Sequence, residues 1–131
     1  MDVNDSLEPR QYAINAAFNI KANKKFNAVL DTLKLGFNPF LVDVDVVFIQ
    51  DPREIVYTRG LSHDLVVQSD SDFRRNSGFF YCRSTEKMMS TFQKAHDIGL
   101  KGKQTNQQIF INVVGYDVCV LRWSVDACCS G

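Results

Sequence analysis

The 131-residue sequence has no apolar run approaching the roughly 18 residues that a membrane-crossing helix needs. Its opening stretch, Met1 to Arg10, is polar and lacks the apolar centre of a secretory signal. Charge of one sign is missing too. Fifteen Lys and Arg balance fifteen Asp and Glu, which argues against a nucleic-acid binder, because that affinity rests on neutralised phosphates. Cysteine is sparse and badly spaced for metal: none of Cys82, Cys119, Cys128 and Cys129 forms a C-x2-C pair, and neither His63 nor His96 is placed to complete a zinc site. The vicinal Cys128-Cys129 could bond to Cys82 or Cys119 in an oxidising compartment, or all four could remain structural or free thiols. Ser62, Ser69 and Ser71 lack His and Asp partners at the spacing of a hydrolase triad. No repeat, linker or low-complexity segment interrupts the chain, so residues 1–131 read as a single domain.

What is present suffices for a core. Forty-five per cent of the residues are hydrophobic, and a domain of this size buries about two thirds of its unfolded surface. From Gln11 to Leu35 the pattern is helical, with Phe26, Val29, Leu30 and Leu33 on one stripe and Gly36 in the place of a left-handed cap. Phe40-Leu41-Val42 follows as a short apolar run, the signature of a strand covered on both faces in a parallel sheet. Leu65-Val66-Val67, Gly78 to Cys82 and Val118 to Leu121 are further strand candidates. A helix is predicted from Ser84 or Thr85 to about Ile98, with Met88, Met89, Phe92 and Ala95 inward and Gly99 ending it. Thr105 with Gln108 fits a capping box and starts a short helix. The class is α/β. Phe37, Phe73 and Trp123 read as core, and His63 and His96 as solvated.

Acids concentrate in the middle. Between Leu41 and Asp72 seven of them (Asp43, Asp45, Asp51, Glu54, Asp64, Asp70, Asp72) face two bases, Arg53 and Arg59. The informative pair is Asp43 and Asp45. In a strand continuing from Phe40 through Asp43-Val44-Asp45 to Ile49, both carboxylates would face one point. Such a pair is costly without a cation, and hard divalent ions such as Mg2+ or Mn2+ take oxygen ligands while leaving positions for phosphate. The bland alternative is a strand end with two solvated acids.

The block from Leu35 to Pro52, LGFNPFLVDVDVVFIQDP, resembles the central block of the nucleotide-diphospho-sugar transferase family, D-x-D glycosyltransferases of the GT-A class. Asn76-Ser77-Gly78-Phe79-Phe80-Tyr81 resembles that family's next block. Thr105-Asn106-Gln107-Gln108-Ile109-Phe110 resembles its threonine-aspartate-glutamine helix start. The three occur in family order between about Asn15 and Leu121.

The resemblance implies a partial GT-A, Rossmann-like mixed sheet flanked by helices. It also implies Mn2+-dependent (or Mg2+-dependent) sugar transfer, with retention, from a UDP-sugar or similar donor to a hydroxyl of a glycan or protein acceptor in the Golgi lumen. Carried over, Asp45 would ligate the metal, and Asp43 the metal or the donor's hydroxyls. Asn76, Ser77 and Gly78 would bind the donor, or Asn76 would line the acceptor side, and Gln107 would lie at the sugar face beside Asn106, which stands where the family has aspartate. One of Lys21, Lys24 and Lys25 would be the family's helix lysine. The family's first strand and its late metal-binding histidine have no counterpart here, so the resemblance is to the middle of a catalytic domain lacking both ends. Two other readings compete. One is a truncated, non-catalytic relative. The other is a haloacid-dehalogenase-like phosphatase with Asp43 as nucleophile and Asp45 as general acid.

Overall fold

A computed structural model describes residues 9–69, 75–114 and 118–121, with side chains from Asn15 onward. Asp70, Asp72, Phe73, Arg74, Trp123, Cys128 and Cys129 lie outside the described residues. The first helix, α1 (Pro9–Lys34), buries the expected stripe of Phe26, Val29, Leu30 and Leu33. Gly36 follows it at φ +85°, a conformation that costs a residue without Cβ little. Then come β1 (Phe40–Val42), α2 (Arg53–Gly60), β2 (Leu65–Ser69), β3 (Arg75–Cys82), α3 (Glu86–Gly99), α4 (Asn106–Val113) and β4 (Cys119–Leu121).

Among the described residues, four strands form one sheet in the order β1-β3-β2-β4. β3 is antiparallel to both β1 and β2, and β2 is parallel to β4. The sheet is therefore mixed, and β1 is an edge strand with half-buried residues, not the parallel strand covered on both faces that its apolar run suggests. Period-two alternation divides the core. Leu65, Val67, Phe80 and Cys82 face α1, α3 and α4, while Val66, Phe79, Tyr81 and Cys119 face α2.

Side chains fix the helix ends. Thr105 and Gln108 form the capping box, and the Thr85 hydroxyl accepts from the Met88 N–H. On α1, Asn19 donates to the Gly102 carbonyl and Asn23 to those of Gly99 and Gln104, so α1 holds the loop from which α4 starts. The α2 helix was not evident from periodicity. Its one local signal is Asp51-Pro52: the Asp51 carboxylate accepts from the Arg53 N–H and guanidinium, which holds its carboxyl down at about 2.

Phe37 is exposed, because the chain has left the helix at Gly36 before reaching it. His63 and His96 are half-buried rather than solvated. No described helix is long and apolar enough to cross a membrane. Cys119 is disulfide-bonded and Cys82 is a buried free thiol. Burial, with Asp64 nearby, pushes the Cys82 thiol up to about 12. Its neutral form is thus favoured by folding, and the stability this contributes is complete below pH 9 and declines as pH rises towards 12. Under native conditions at pH 8, Cys82 should resist alkylation that denaturant permits; equal rates in both states would contradict its burial.

Candidate functional site

The register between β1 and β3 decides where the first acid lies. Leu41 pairs with Phe80 and Val42 with Phe79, so Asp43 comes to Gly78 and its N–H donates to the Gly78 carbonyl at 2.8 Å. The return bond is not made. The Asp43 carbonyl accepts from Val46 N–H at 3.1 Å, and the Gly78 N–H donates to Asn76 Oδ1 at 2.8 Å. With both groups taken, the ladder stops and the chain turns. Asp43-Val44-Asp45 therefore lies at the strand end and in a turn, not within a strand running to Ile49. Val44, Val47 and Ile49 are almost fully exposed.

The opposite edge of β3 carries the feature that builds the site. Between Val67↔Phe80 and Ser69↔Arg75, two residues advance on β2 while five advance on β3. Asn76, Ser77 and Gly78 form this excess, a bulge of the kind that frees backbone groups and re-aims side chains beside functional sites. Side chains from elsewhere satisfy the freed groups. Ser77 N–H donates to Gln107 Oε1 at 2.9 Å, the Ser77 carbonyl accepts from Lys25 Nζ at 3.2 Å, and Gln107 Nε2 donates to the Arg75 carbonyl. Ser77 Oγ donates to Asn106 Oδ1 at 3.0 Å, and Asn76 Nδ2 to Gln68 Oε1 at 3.2 Å.

Asp43 closes the cluster. Leu41 packs towards the α1 side of the sheet, and two residues later Asp43 leans the same way, its Oδ1 3.3 Å from Lys25 Nζ. Its Oδ2 lies so near Gly78 that a Cβ there would come within 2.2 Å of it. Asp45, exposed in the turn, lines the same open cleft as Lys25, Leu41, Val42, Asp43 and Val44.

Nearly every residue singled out from sequence thus meets at one place: Asp43, Asn76, Ser77, Gly78, Asn106 and Gln107, with Asp45 at the rim. Asp43 and Asp45 line one cleft, across a turn and not along one face of a strand. Gln107 has both amide atoms on the β3 backbone, so in this structure it braces the bulge. Of the three candidate lysines in the middle of α1, Lys25 enters the site, whereas Lys21 and Lys24 are exposed. Its one local signal was its position beside Phe26, at the edge of the buried stripe. The bulge, and Gln68 opposite it on β2, were not foreseen.

Residues 17–127 match the nucleotide-diphospho-sugar transferase family. The chain belongs to that family. Its three sequence blocks supply the two acids of the cleft and the bulge and helix start bonded together beside it.

Among curated relatives, a beta-arabinofuranosyltransferase of Arabidopsis thaliana is 35% identical over 79 residues, covering 53% of this chain and 14% of the relative. A UDP-galactose:fucoside alpha-3-galactosyltransferase of Dictyostelium discoideum is 33% identical over 85 residues, covering 58% and 13%. An uncharacterized Arabidopsis thaliana protein is 28% identical over 89 residues, covering 65% and 26%. The chain spans about a quarter or less of the length of these relatives. No solved structure matches it. The family favours the transferase reading over the phosphatase one.

Proposed function

We propose that the chain supplies the donor-phosphate part of a glycosyltransferase site, which moves a sugar from a nucleoside diphosphate, UDP in the first instance, to an acceptor hydroxyl. The observation that carries this reading is the convergence of Asp43, Asp45 and Lys25 on one cleft, with Asp43 and Lys25 hydrogen-bonded to the Asn76–Gly78 bulge beside it. Two relatives bear names of sugar transferases, one of them a UDP-galactose enzyme.

Among the described residues no three His, Cys, Asp or Glu groups gather as a metal site. Two accessible carboxylates nevertheless suit Mn2+ or Mg2+, which bind through one or two carboxylates plus water and substrate phosphate. Asp43 and Asp45 would hold the ion. When bound, such an ion neutralises charge developing on the leaving diphosphate.

In the transfer, the bond from the anomeric carbon to the diphosphate oxygen breaks with its electron pair going to the diphosphate. The acceptor oxygen bonds to that carbon, and its proton passes to the departing diphosphate oxygen. Lys25 would meet phosphate oxygens and the bulge would offer Asn76 to the donor, whereas Ser77, buried and bonded to Asn106, Gln107 and Lys25, lies behind that surface and not along the donor. Gln107 and Asn106 would hold the bulge in place, and preorganisation of this kind is what converts contacts into affinity. Retention of configuration is implied by the resemblance alone.

The test is calorimetric titration of the chain with UDP, with and without Mn2+. Saturable binding that requires Mn2+ is expected, weakened at least about tenfold by Asp45→Asn, the scale of a lost charge-assisted contact. UDP binding indifferent to Mn2+, or no binding by folded chain, would overturn the proposal.

A further inference from the structure

Lys25 holds Asp43 in a way that bears on how a divalent ion enters. Its Nζ is 3.3 Å from Asp43 Oδ1 and 3.2 Å from the Ser77 carbonyl, and its side chain is only 17% exposed. The other oxygen, Oδ2, is pressed against Gly78. An ion that takes Asp43 through Oδ1 therefore meets an ammonium already on that atom, and two cations on one carboxylate oxygen repel. The Asp43 side chain is 48% exposed, so the repulsion is partly screened and amounts to a bias, not a block.

We infer that Lys25 is an internal counter-cation which opposes the free divalent ion at Asp43 and favours the ion brought with a nucleotide diphosphate. This rests on the donor-site reading above. A diphosphate carries the negative charge that Lys25 needs once it leaves Asp43, and the ammonium is within a side-chain rotation of the cleft that both residues line. Nucleotide and metal then each strengthen the other's binding, by the same factor in both directions. The Ser77 carbonyl keeps Lys25 beside the cleft during the exchange, because that contact does not depend on the acid.

The prediction is an inversion of sign. In Lys25→Gln and Lys25→Met, Mn2+ alone should bind about two- to fivefold more tightly, the scale of a half-exposed ion pair. Binding of UDP in saturating Mn2+ should weaken about tenfold or more, the scale of a lost charge-assisted contact. Lys25→Arg should restore UDP binding, and Lys34→Gln, at the far end of α1, should change neither. Free Mn2+ is followed by its electron paramagnetic resonance signal and UDP by calorimetry, with circular dichroism checking that each variant is folded. Mn2+ affinity unchanged or weakened in both folded variants would overturn the inference while leaving Mn2+-dependent UDP binding by the original chain intact. Loss of both variants to misfolding would overturn it too, by making Lys25 a structural residue. Absence of UDP binding by the original chain would remove the parent reading as well.

Discussion

Gly78→Ala is expected to reduce Mn2+-dependent UDP binding by at least about tenfold while leaving the chain folded. The added Cβ would fall 2.2 Å from Asp43 Oδ2, 2.7 Å from its Cγ and 3.2 Å from Asn76 Oδ1. Asp43 cannot retreat along the backbone, because its N–H is bonded to the Gly78 carbonyl. Its short side chain must rotate instead, which separates it from Lys25 and displaces Asn76 from the Gly78 N–H. Rotating a half-exposed carboxylate costs little stability, so the damage falls on the site: a misplaced ligand loses the geometry that affinity and catalysis require. A small shift in melting temperature with a large loss in calorimetric affinity is the expected pattern. Unchanged affinity would show that the position of Asp43 does not matter for the donor.

Phe92→Ala should do the reverse, removing stability rather than a contact in the cleft. Phe92 is fully buried, stacked on Phe80 with centroids 5.5 Å apart and tilted against Phe26 at 6.2 Å, and Phe80 in turn stacks on Phe110 at 5.0 Å. This run of four rings joins α1, α3 and α4 to the sheet. Truncation leaves a cavity that these neighbours cannot fill, at a cost of about 3–5 kcal/mol. Set against a total stability of about 5–15 kcal/mol, the melting temperature should fall by roughly 10–20 °C. Phe37→Ala is the contrast: its ring is 66% exposed, and it should change stability by less than about 0.5 kcal/mol. Similar effects for the two would mean that the ring stack is not the centre of the core.

These predictions draw on two kinds of information. The helical stripe of α1, the Gly36 stop, the Thr105–Gln108 box and the strands β2 and β3 were legible from sequence. Each depends on residues a few positions apart, whose spacing alone states the periodicity or the cap. The three family blocks were legible for the same reason, and they named most of the residues that meet around Asp43 and the bulge. Membership in the nucleotide-diphospho-sugar transferase family was thus present in the chain before any fold was drawn.

What sequence could not give was partnership across the sheet. That β1 is an antiparallel edge, that it stops at Val42, and that Asp43 turns away all follow from which groups of β3 are already taken. Gly78 N–H is held by Asn76 and Ser77 by Lys25 and Gln107, across separations of 52 and 30 residues in the latter two contacts. The choice of Lys25 over Lys21 and Lys24 depends likewise on the rotation of α1 against the sheet, which packing of Phe26 and Leu30 sets. The sequence by itself determined the local elements and the inventory of chemical groups. Only the tertiary structure decided which groups touch, because a backbone hydrogen bond goes to whichever partner the fold brings first.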